Sequence, residues 1–179
     1  MVRVSLGISL TLYNRVMSME KIKIAPPITQ QDKEWLRELW LREWGDETMV
    51  SKGKKYCIRD LESVIAWTDG DRVGAATYHL GADDCELMSI NSTVEGLGVG
   101  TAVISFVEQI ANNCGMRRIW LITSNDNLDA LRFYQRRGYR IIAVYPNAID
   151  EARKLKPTIP HVGYYEIPIH DELELEKLF

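Results

Sequence analysis

Three glycines at alternate positions, Gly96, Gly98 and Gly100, are the residues whose type and spacing first suggest a ligand site. An apolar segment precedes them, and a segment with apolar residues at helical i, i+3 and i+4 spacing follows. Glycine lets a backbone approach a ligand closely, and the first turn of a helix has free N–H groups that bind anions. Residues 85–111 therefore predict a strand, a glycine turn and a helix that form an anion cradle. From these residues alone, a purely structural turn remains a second interpretation.

The glycine spacing excludes two common phosphate-binding loops. A dinucleotide-binding loop has the pattern G-x-G-x-x-G with an acidic residue about 20 residues later, and a P-loop has Lys-Ser/Thr after its glycines. The chain has neither pattern at this turn.

A second group of polar residues lies in the segment 125–139, where Asn127 precedes a helical pattern that carries Tyr134. Asparagine is a favoured N-cap, so Asn127 alone predicts a helix start. Tyr134 shares a helix face with Leu128 and Leu131, so by itself it is typical of a core tyrosine.

The cysteines do not form a metal or disulfide pattern. Cys57, Cys85 and Cys114 are widely separated and have no C-x-x-C spacing, which favours a reducing cytosol. Cys114 lies on the apolar face of the predicted helix and is expected to be buried. Cys85 is the one cysteine close enough to the glycine turn to be considered as a nucleophile.

The elements that must position these groups form one α+β domain. A helix after Thr29 ends near Gly45, one follows the glycine turn and stops at Gly115, and a third covers 128–137. Strands are predicted at 20–25, 63–68, 72–80, 85–91, 117–124, 139–145 and 162–169. Strands 85–91 and 117–124 are expected to be parallel, because a helix connects them. Residues 46–55 and the acidic tail 171–179 are expected to be solvated. The alternatives are a mobile flap or a contact to an acidic ligand for 46–55, and attraction of a cationic acceptor for the tail acids Asp171, Glu172, Glu174 and Glu176.

The bulk composition is that of one globular domain. Of 179 residues, 46% are apolar and 26% charged, and the net charge of −3 gives no basic field that would favour nucleic acid. No apolar run reaches the roughly 18 residues of a membrane span. Residues 1–18 are interpreted as an N-terminal extension and 19–179 as the domain. The three histidines lack metal-ligand spacing, so no metal is expected.

Taken together, the two polar segments resemble the GNAT N-acetyltransferase superfamily. Residues 95–100 match its Q/R-x-x-G-x-G/A acetyl-CoA loop, with Glu95 where the family usually has Gln or Arg. Residues 127–139 match the pattern N-x-x-A-x-x-x-Y, a basic stretch and G-Y/F. The resemblance implies a central mixed, mostly antiparallel twisted sheet of about six to seven strands, flanked by helices, with one parallel crossover pair.

The resemblance also implies acetyl-CoA as co-substrate and indicates where it would bind. Its pyrophosphate would lie on the glycine turn, its pantetheine arm would pair with the preceding strand, and a backbone N–H near Ile90 would hold the thioester oxygen. The residues implied in cofactor binding are Ile90, Asn91, Ser92, Glu95, Gly96, Leu97, Gly98, Val99, Gly100, Thr101, Asn127, Ala130 and Tyr134.

Two side chains are implied in catalysis. Tyr134 resembles the family's general acid, which protonates the departing thiolate. An attacking amine must first lose a proton, and Glu86 is the first candidate for the base, expected to share a strand face with Met88 and Ile90. The weaker candidates are Asp83, Asp84 and His79. An acceptor pocket is expected among Trp40, Trp44, Glu47, Trp67, Tyr78 and Tyr164.

The predicted function is therefore transfer of acetyl from acetyl-CoA to a primary amine by direct attack in a ternary complex. The alternative is a non-catalytic CoA-binding sensor or interaction module of the same fold. The expected partners are a small-molecule or peptide amine and a second copy of the chain in a homodimer. Neither nucleic acid nor membrane is expected as a partner, and the expected location is cytoplasmic.

Overall fold

The computed structural model describes residues 22–179, so the predicted extension at 1–18 lies outside the described residues. Nine strands and four helices occur in the described range. The strands are β1 (Lys23–Ala25), β2 (Thr48–Ser51), β3 (Lys54–Cys57), β4 (Glu62–Thr68), β5 (Asp71–Leu80), β6 (Asp84–Ser92), β7 (Arg118–Ser124), β8 (Arg140–Tyr145) and β9 (Glu172–Leu178). The helices are α1 (Gln30–Trp44), α2 (Val99–Asn113), α3 (Leu128–Gln135) and α4 (Ala148–Leu155).

Seven strands form one sheet in the order β1-β4-β5-β6-β7-β9-β8, and β2 and β3 form a separate hairpin. All neighbouring pairs are antiparallel except β6 and β7. These two strands are joined by α2, as a parallel pair requires a crossover. The predicted mixed sheet with one parallel crossover pair is confirmed.

The main core lies between α2 and one face of the sheet. Helix α2 buries Val99, Val103, Ile104, Val107 and Ala111, which recur at the i, i+3, i+4 spacing of one helix face. They pack against apolar side chains of the central strands. Cys114, predicted to be buried, is exposed because α2 ends at Asn113 and the chain turns there into solvent.

Helix α1 covers the opposite face of the sheet. Its Leu36 and Leu39 form a smaller cluster with Ile65 of β4 and Ala75 of β5. A capping box starts the helix: Thr29 Oγ1 accepts from the backbone N–H of Asp32, and the Asp32 carboxylate accepts from the backbone N–H of Thr29. The helix therefore begins and ends as predicted, and Gly45 terminates it in the left-handed conformation.

The predicted solvated loop at 46–55 is wrong. Residues 48–57 form the β2–β3 hairpin, closed by a two-residue turn at Lys52 and Gly53 whose φ angles are 47° and 73°. Two consecutive positive φ values are typical of a type I′ turn, which matches the twist of a hairpin.

The C-terminal region differs most from the prediction. Residues 162–169, predicted as the last strand, form a short 3₁₀ turn at Tyr164–Glu166 with only an isolated bridge between Val162 and Pro168. The last strand is β9, in the segment that was predicted to be a solvated acidic tail. It lies inside the sheet between β7 and β8, and both Glu172 and Glu174 are buried.

Candidate active site

Strands β6 and β7 separate in the middle of the sheet. They pair only from Asp84 with Arg118 to Glu86 with Trp120, although both strands continue beyond this point. Beyond Glu86, β6 still pairs with β5 on its other side. The β7-facing edge of residues 87–92 is therefore unpaired, and unpaired strand edges are sites where an extended ligand can add as a further strand.

Three of the predicted cofactor-binding residues lie on this unpaired edge: Ile90, Asn91 and Ser92. Ile90 packs against the main core, whereas Ser92 is exposed and its hydroxyl donates to the carbonyl oxygen of Val94. The side-chain oxygen Oδ1 of Asn91 is buried and lacks a hydrogen-bond partner among the described residues. Because a buried polar atom is normally hydrogen-bonded, this oxygen is available to a ligand donor.

The predicted glycine turn leads from β6 into the first turn of α2. Gly96 and Gly98 both have φ of 76°, a left-handed conformation that favours glycine. Gly98 is the N-cap of α2 and supplies no side-chain cap, so the N–H groups of the first turn have no side-chain acceptor there. Glu95 is exposed. The turn and the helix start therefore offer N–H donors to an anion.

Helix α3 and its N-cap carry the other three predicted residues, Asn127, Ala130 and Tyr134. The side chain of Asn127 accepts from the backbone N–H of Ala130 at 3.1 Å, which makes it the N-cap. Tyr134 is buried, and its ring packs edge-on against Phe133 at 5.2 Å and tilted against Tyr139 at 5.5 Å. Burial raises the pKa of Tyr134, so the phenol stays protonated at neutral pH and keeps a proton to donate.

A cavity of about 770 Å³ opens beside the start of α2 and the exposed side of α3. It is lined by Thr101, Asp129, Arg132, Phe133, Arg136 and Arg137. The Arg137 guanidinium lies over the Phe133 ring and also donates to the Thr101 hydroxyl. Arg132, Arg136 and Arg137 were not predicted as site residues. The basic stretch after Tyr134 is the sequence feature that could have identified Arg136 and Arg137. Three guanidinium groups beside free helix N–H groups suit an anionic ligand.

A bulge in β6 changes which side chains share a face. Leu87 pairs with Tyr78 and Ser89 with Thr77, so Met88 is an extra residue in the ladder. Ile90 consequently faces the main core together with Leu87. The prediction that Glu86 shares a face with Ile90 is therefore wrong.

Glu86 instead faces the β2–β3 hairpin. Its carboxylate accepts from the Ser51 hydroxyl at 2.5 Å and from the Tyr56 hydroxyl at 2.9 Å. Glu86 is 3% exposed, and it is the last residue of β6 that pairs with β7. The carboxylate thus lies at the point where the two strands separate.

The weaker candidates for the base are Asp83, Asp84 and His79. Asp83 and Asp84 form ion pairs with Arg117 and Arg118 at the opposite end of the parallel ladder. The imidazole of His79 lies 6.0 Å from the ring of Tyr56. Asp83 and Asp84 lie away from the point where β6 and β7 separate, whereas His79 is the residue directly opposite Glu86 in the β5–β6 ladder.

Cys85, the one cysteine considered as a nucleophile, is fully buried in the main core. Burial raises the pKa of its thiol to about 12, and nearby carboxylates add to the effect. A thiol in that state is a poor nucleophile, because the thiolate is the reactive form.

Two carboxylates of β9, Glu172 and Glu174, were predicted to belong to a solvated charged end, with attraction of a cationic acceptor as the alternative, and both are buried. The Glu174 carboxylate accepts from Lys52 Nζ at 2.9 Å, from the Tyr145 hydroxyl at 2.5 Å and from Arg118 at 3.3 Å. Burial acts to raise the pKa of Glu174, but the hydrogen bonds from Tyr145 and Lys52 hold it below its ordinary value. Burial raises the pKa of Glu172, which accepts from the backbone N–H of Lys52. The period-two alternation in ELELEKL was the signal for this strand.

The structure disperses the aromatic residues expected to line an acceptor pocket. Trp40 and Tyr78 are buried, and Trp67 packs on the small cluster beneath α1. Trp44 and Tyr164 are exposed, and Glu47 forms an ion pair with Arg37. These six residues do not form one lining.

Among residues 22–179, no helix is both long and apolar enough to span a membrane. The same range contains no group of three or more His, Cys, Asp or Glu residues arranged to hold a metal ion.

Residues 30–139 match the model of the Acetyltransferase (GNAT) family. The uncharacterised protein YdhI of Bacillus subtilis (strain 168) is 38% identical over 153 residues, which cover 85% of this chain and 96% of the relative. Among solved structures, a Bacillus subtilis acetyltransferase in complex with CoA has a TM-score of 0.68 at 17% identity, covering 89% of this chain and 99% of that one. Arabidopsis thaliana Naa50, in complex with the bisubstrate analogue CoA-Ac-MVNAL, has a TM-score of 0.65 at 16% identity, with coverage of 89% and 99%.

Proposed function

The chain belongs to the GNAT acetyltransferase family, and on that premise we propose that it transfers the acetyl group of acetyl-CoA to a primary amine by direct attack in a ternary complex. The unpaired edge of β6 is the observation that carries the proposal. It starts at the buried carboxylate of Glu86 and leads to the uncapped start of α2. An acetyl-CoA molecule that lies along this edge would have the N–H groups of the α2 start at one end and the Glu86 carboxylate at the other.

Three observations support acetyl-CoA as the co-substrate. The free N–H groups at the start of α2 suit its pyrophosphate. The arginine-lined cavity next to them suits a polyanion of this size. The orphaned Oδ1 of Asn91 suits an amide N–H of the pantetheine arm, which would pair with residues 90–92 as an added strand.

The other proposed cofactor contacts lie on the glycine turn and on the first turns of α2 and α3. Glu95, Gly96, Leu97, Gly98, Val99, Gly100 and Thr101 belong to the turn and the first helical turn. Asn127 and Ala130 place the start of α3 beside the cofactor, and the backbone N–H near Ile90 would stabilise the developing oxyanion.

In the proposed reaction, the amine nitrogen attacks the thioester carbon, a C–N bond forms and the C–S bond breaks. Glu86 accepts the proton that the amine gives up, directly or through water. The Tyr134 hydroxyl protonates the departing thiolate sulfur, and its raised pKa keeps it in the acid form before the reaction.

Thermal unfolding with and without acetyl-CoA tests the cofactor part of this function. A ligand at about 100 times its dissociation constant adds roughly 2.7 kcal/mol to the free energy of unfolding, so a clear rise in Tm is expected. An unchanged Tm at millimolar acetyl-CoA contradicts the proposal.

Thiol release in the presence of a panel of primary amines tests the chemistry. Amine-dependent release of CoA, with an acetylated amine detected by mass spectrometry, is the expected result. Stabilisation by acetyl-CoA without transfer to any amine would instead point to a CoA-binding module.

A further inference from the structure

Lys52 occupies a cage built from three side chains of the sheet: Trp120 on β7, Tyr145 on β8 and Glu174 on β9. Its Nζ lies 5.1 Å from the centroid of each aromatic ring and 2.9 Å from Oε2 of Glu174. An ammonium group over aromatic faces and beside a carboxylate is the arrangement by which proteins recognise cations. We call the three side chains the ammonium cage.

The ammonium cage belongs to the sheet, whereas its occupant comes from a separate element. Lys52 lies at the tip of the β2–β3 hairpin, which does not pair with the seven-stranded sheet. The backbone of Lys52 has a φ of 47°, which is unfavourable for a residue with a side chain. Its side chain is 39% exposed, whereas that of Glu174 is only 4% exposed. The lysine can therefore withdraw into solvent, but the carboxylate cannot.

Glu174 keeps partners when Lys52 leaves. Its Oε1 still accepts from Arg118 at 3.3 Å, and its Oε2 still accepts from the Tyr145 hydroxyl. Exchange of the Lys52 ammonium for another ammonium group thus leaves the buried Glu174 carboxylate hydrogen-bonded, whereas an unpaired buried charge would be costly.

The ammonium cage borders the proposed reaction centre. Trp120 is the residue directly opposite Glu86 in the parallel ladder, and neighbouring strands lie about 4.8 Å apart. The hairpin tip contacts both places, because Ser51 donates to Glu86 and the next residue, Lys52, donates to Glu174. A ligand that displaces the Lys52 side chain would lie next to both the ammonium cage and the proposed base.

We propose that the ammonium cage binds a second cationic group of the acceptor, and that the Lys52 side chain occupies it until the acceptor displaces that side chain. The acceptor class is then a primary amine with a further ammonium group several bonds away, such as an α,ω-diamine or a longer polyamine. The identity of the amine that is acetylated rests on the proposed function, since Glu86 is its proposed base. The presence of the cation subsite does not depend on the proposed function.

The kinetic test compares α,ω-diamines of three to eight carbons with monoamines of equal length, each with saturating acetyl-CoA. For the best diamine, kcat/KM is expected to exceed that of its monoamine by about tenfold. Lys52→Met removes the internal competitor and should raise kcat/KM for the diamine several-fold more than that for the monoamine. Lys54→Met is the matched control, since Lys54 belongs to the same hairpin but stacks on Tyr56 outside the cage.

A binding test uses no acetyl transfer. Calorimetry with the same diamine should detect binding to Lys52→Met and about tenfold weaker binding or none to Lys52→Met/Glu174→Gln. Lys52→Met/Tyr145→Leu serves as a second double variant, which removes one ring but keeps the carboxylate, and it should also weaken binding.

The outcomes separate the two proposals. Equal kcat/KM for diamine and monoamine, together with no diamine binding to Lys52→Met, would overturn the cation subsite even if monoamines are acetylated. Diamine binding that depends on Glu174, without acetylation of any amine, would support the subsite and overturn the proposed function.

Discussion

The hydroxyl of Ser51 lies 2.5 Å from a carboxylate oxygen of Glu86, a residue 35 positions further along the chain. This contact fixes the tip of the β2–β3 hairpin over the point where β6 and β7 separate. Tyr56 of the same hairpin donates to the other carboxylate oxygen. A carboxylate that accepts hydrogen bonds on both oxygens is held in one orientation, as a proposed base requires.

Replacing the proposed base should slow the reaction in a pH-dependent way. Glu86→Gln is expected to lower kcat/KM by about 10²-fold at neutral pH, because the ammonium form of the acceptor then lacks a proton acceptor. The difference should narrow as the pH approaches the amine pKa of about 10.4, where free amine becomes abundant. Measuring kcat/KM from pH 6 to pH 10 checks this. Asp83→Asn is the control, and a greater loss in that variant would identify a different base.

Replacing the proposed acid should affect turnover more than binding. Tyr134→Phe is expected to lower kcat by about 10²-fold, whereas the Kd for acetyl-CoA and the Tm should change little. Tyr139→Phe removes the hydroxyl of a neighbouring buried tyrosine that donates to Glu108 at 3.1 Å. That control should cost about 1 kcal/mol of stability and leave kcat intact. If kcat of Tyr134→Phe stays within twofold of wild type, Tyr134 is a core tyrosine only.

Two glycines have similar backbone conformations, but only one of them lies at the proposed cofactor site. Comparing an alanine substitution at each distinguishes the cost of backbone strain from an effect on cofactor binding. Gly98 before α2 and Gly45 after α1 have φ of 76° and 69°. Each substitution by alanine should cost about 1 kcal/mol of folding stability, since side chains are disfavoured in the left-handed region. Only Gly98→Ala is expected also to weaken acetyl-CoA binding, by about tenfold. Denaturant unfolding and calorimetry on both variants check this, and an equal effect on affinity would place the cofactor elsewhere.

Asp32 should make folding stability depend on pH in the acid range. Backbone hydrogen bonding at Thr29 and the Arg72 guanidinium hold the pKa of Asp32 far below its ordinary value. A depressed folded pKa contributes stability above the unfolded value of about 3.9, and this contribution is lost as the pH falls below it. Asp32→Asn should therefore cost about 1 kcal/mol at pH 7 and less at pH 2 to 3. Urea unfolding at both pH values measures it, with exposed Glu38→Gln as control; a difference that does not vary with pH would contradict the assignment.

The cysteines should differ in reactivity towards alkylating reagents. Buried Cys85, with its pKa raised to about 12, should resist iodoacetamide in the native protein, whereas exposed Cys114 should react. Acetyl transfer should survive this modification, because direct attack needs no thiol of the chain. Peptide mass spectrometry checks the labelling. An acetylated Cys85 after incubation with acetyl-CoA would show a covalent intermediate and refute the ternary mechanism.

Local patterns predicted the elements around the proposed cofactor cradle. Strand β6, the glycine turn and α2 follow from period-two and helical spacing and from glycine's freedom at positive φ, all of which lie within about 30 residues. The family pattern at 127–139 likewise lies on one helix and its flanks. These features depend on residues that are close together along the chain, so they can be predicted from the sequence alone.

The acceptor side could not be predicted in the same way. Strand β9 has the alternation of a strand, but burying Glu174 is favourable only because Lys52, 122 residues earlier, and Arg118 pair with it. The bulge at Met88, which turns Glu86 towards the hairpin, depends on pairing with β5. The sequence by itself thus determined the fold class and the glycine turn of the proposed cofactor cradle, through local periodicity and turn chemistry. Only the tertiary structure decided which carboxylates are buried and face the open edge of β6, because charges become compatible with burial only when distant residues pair with them.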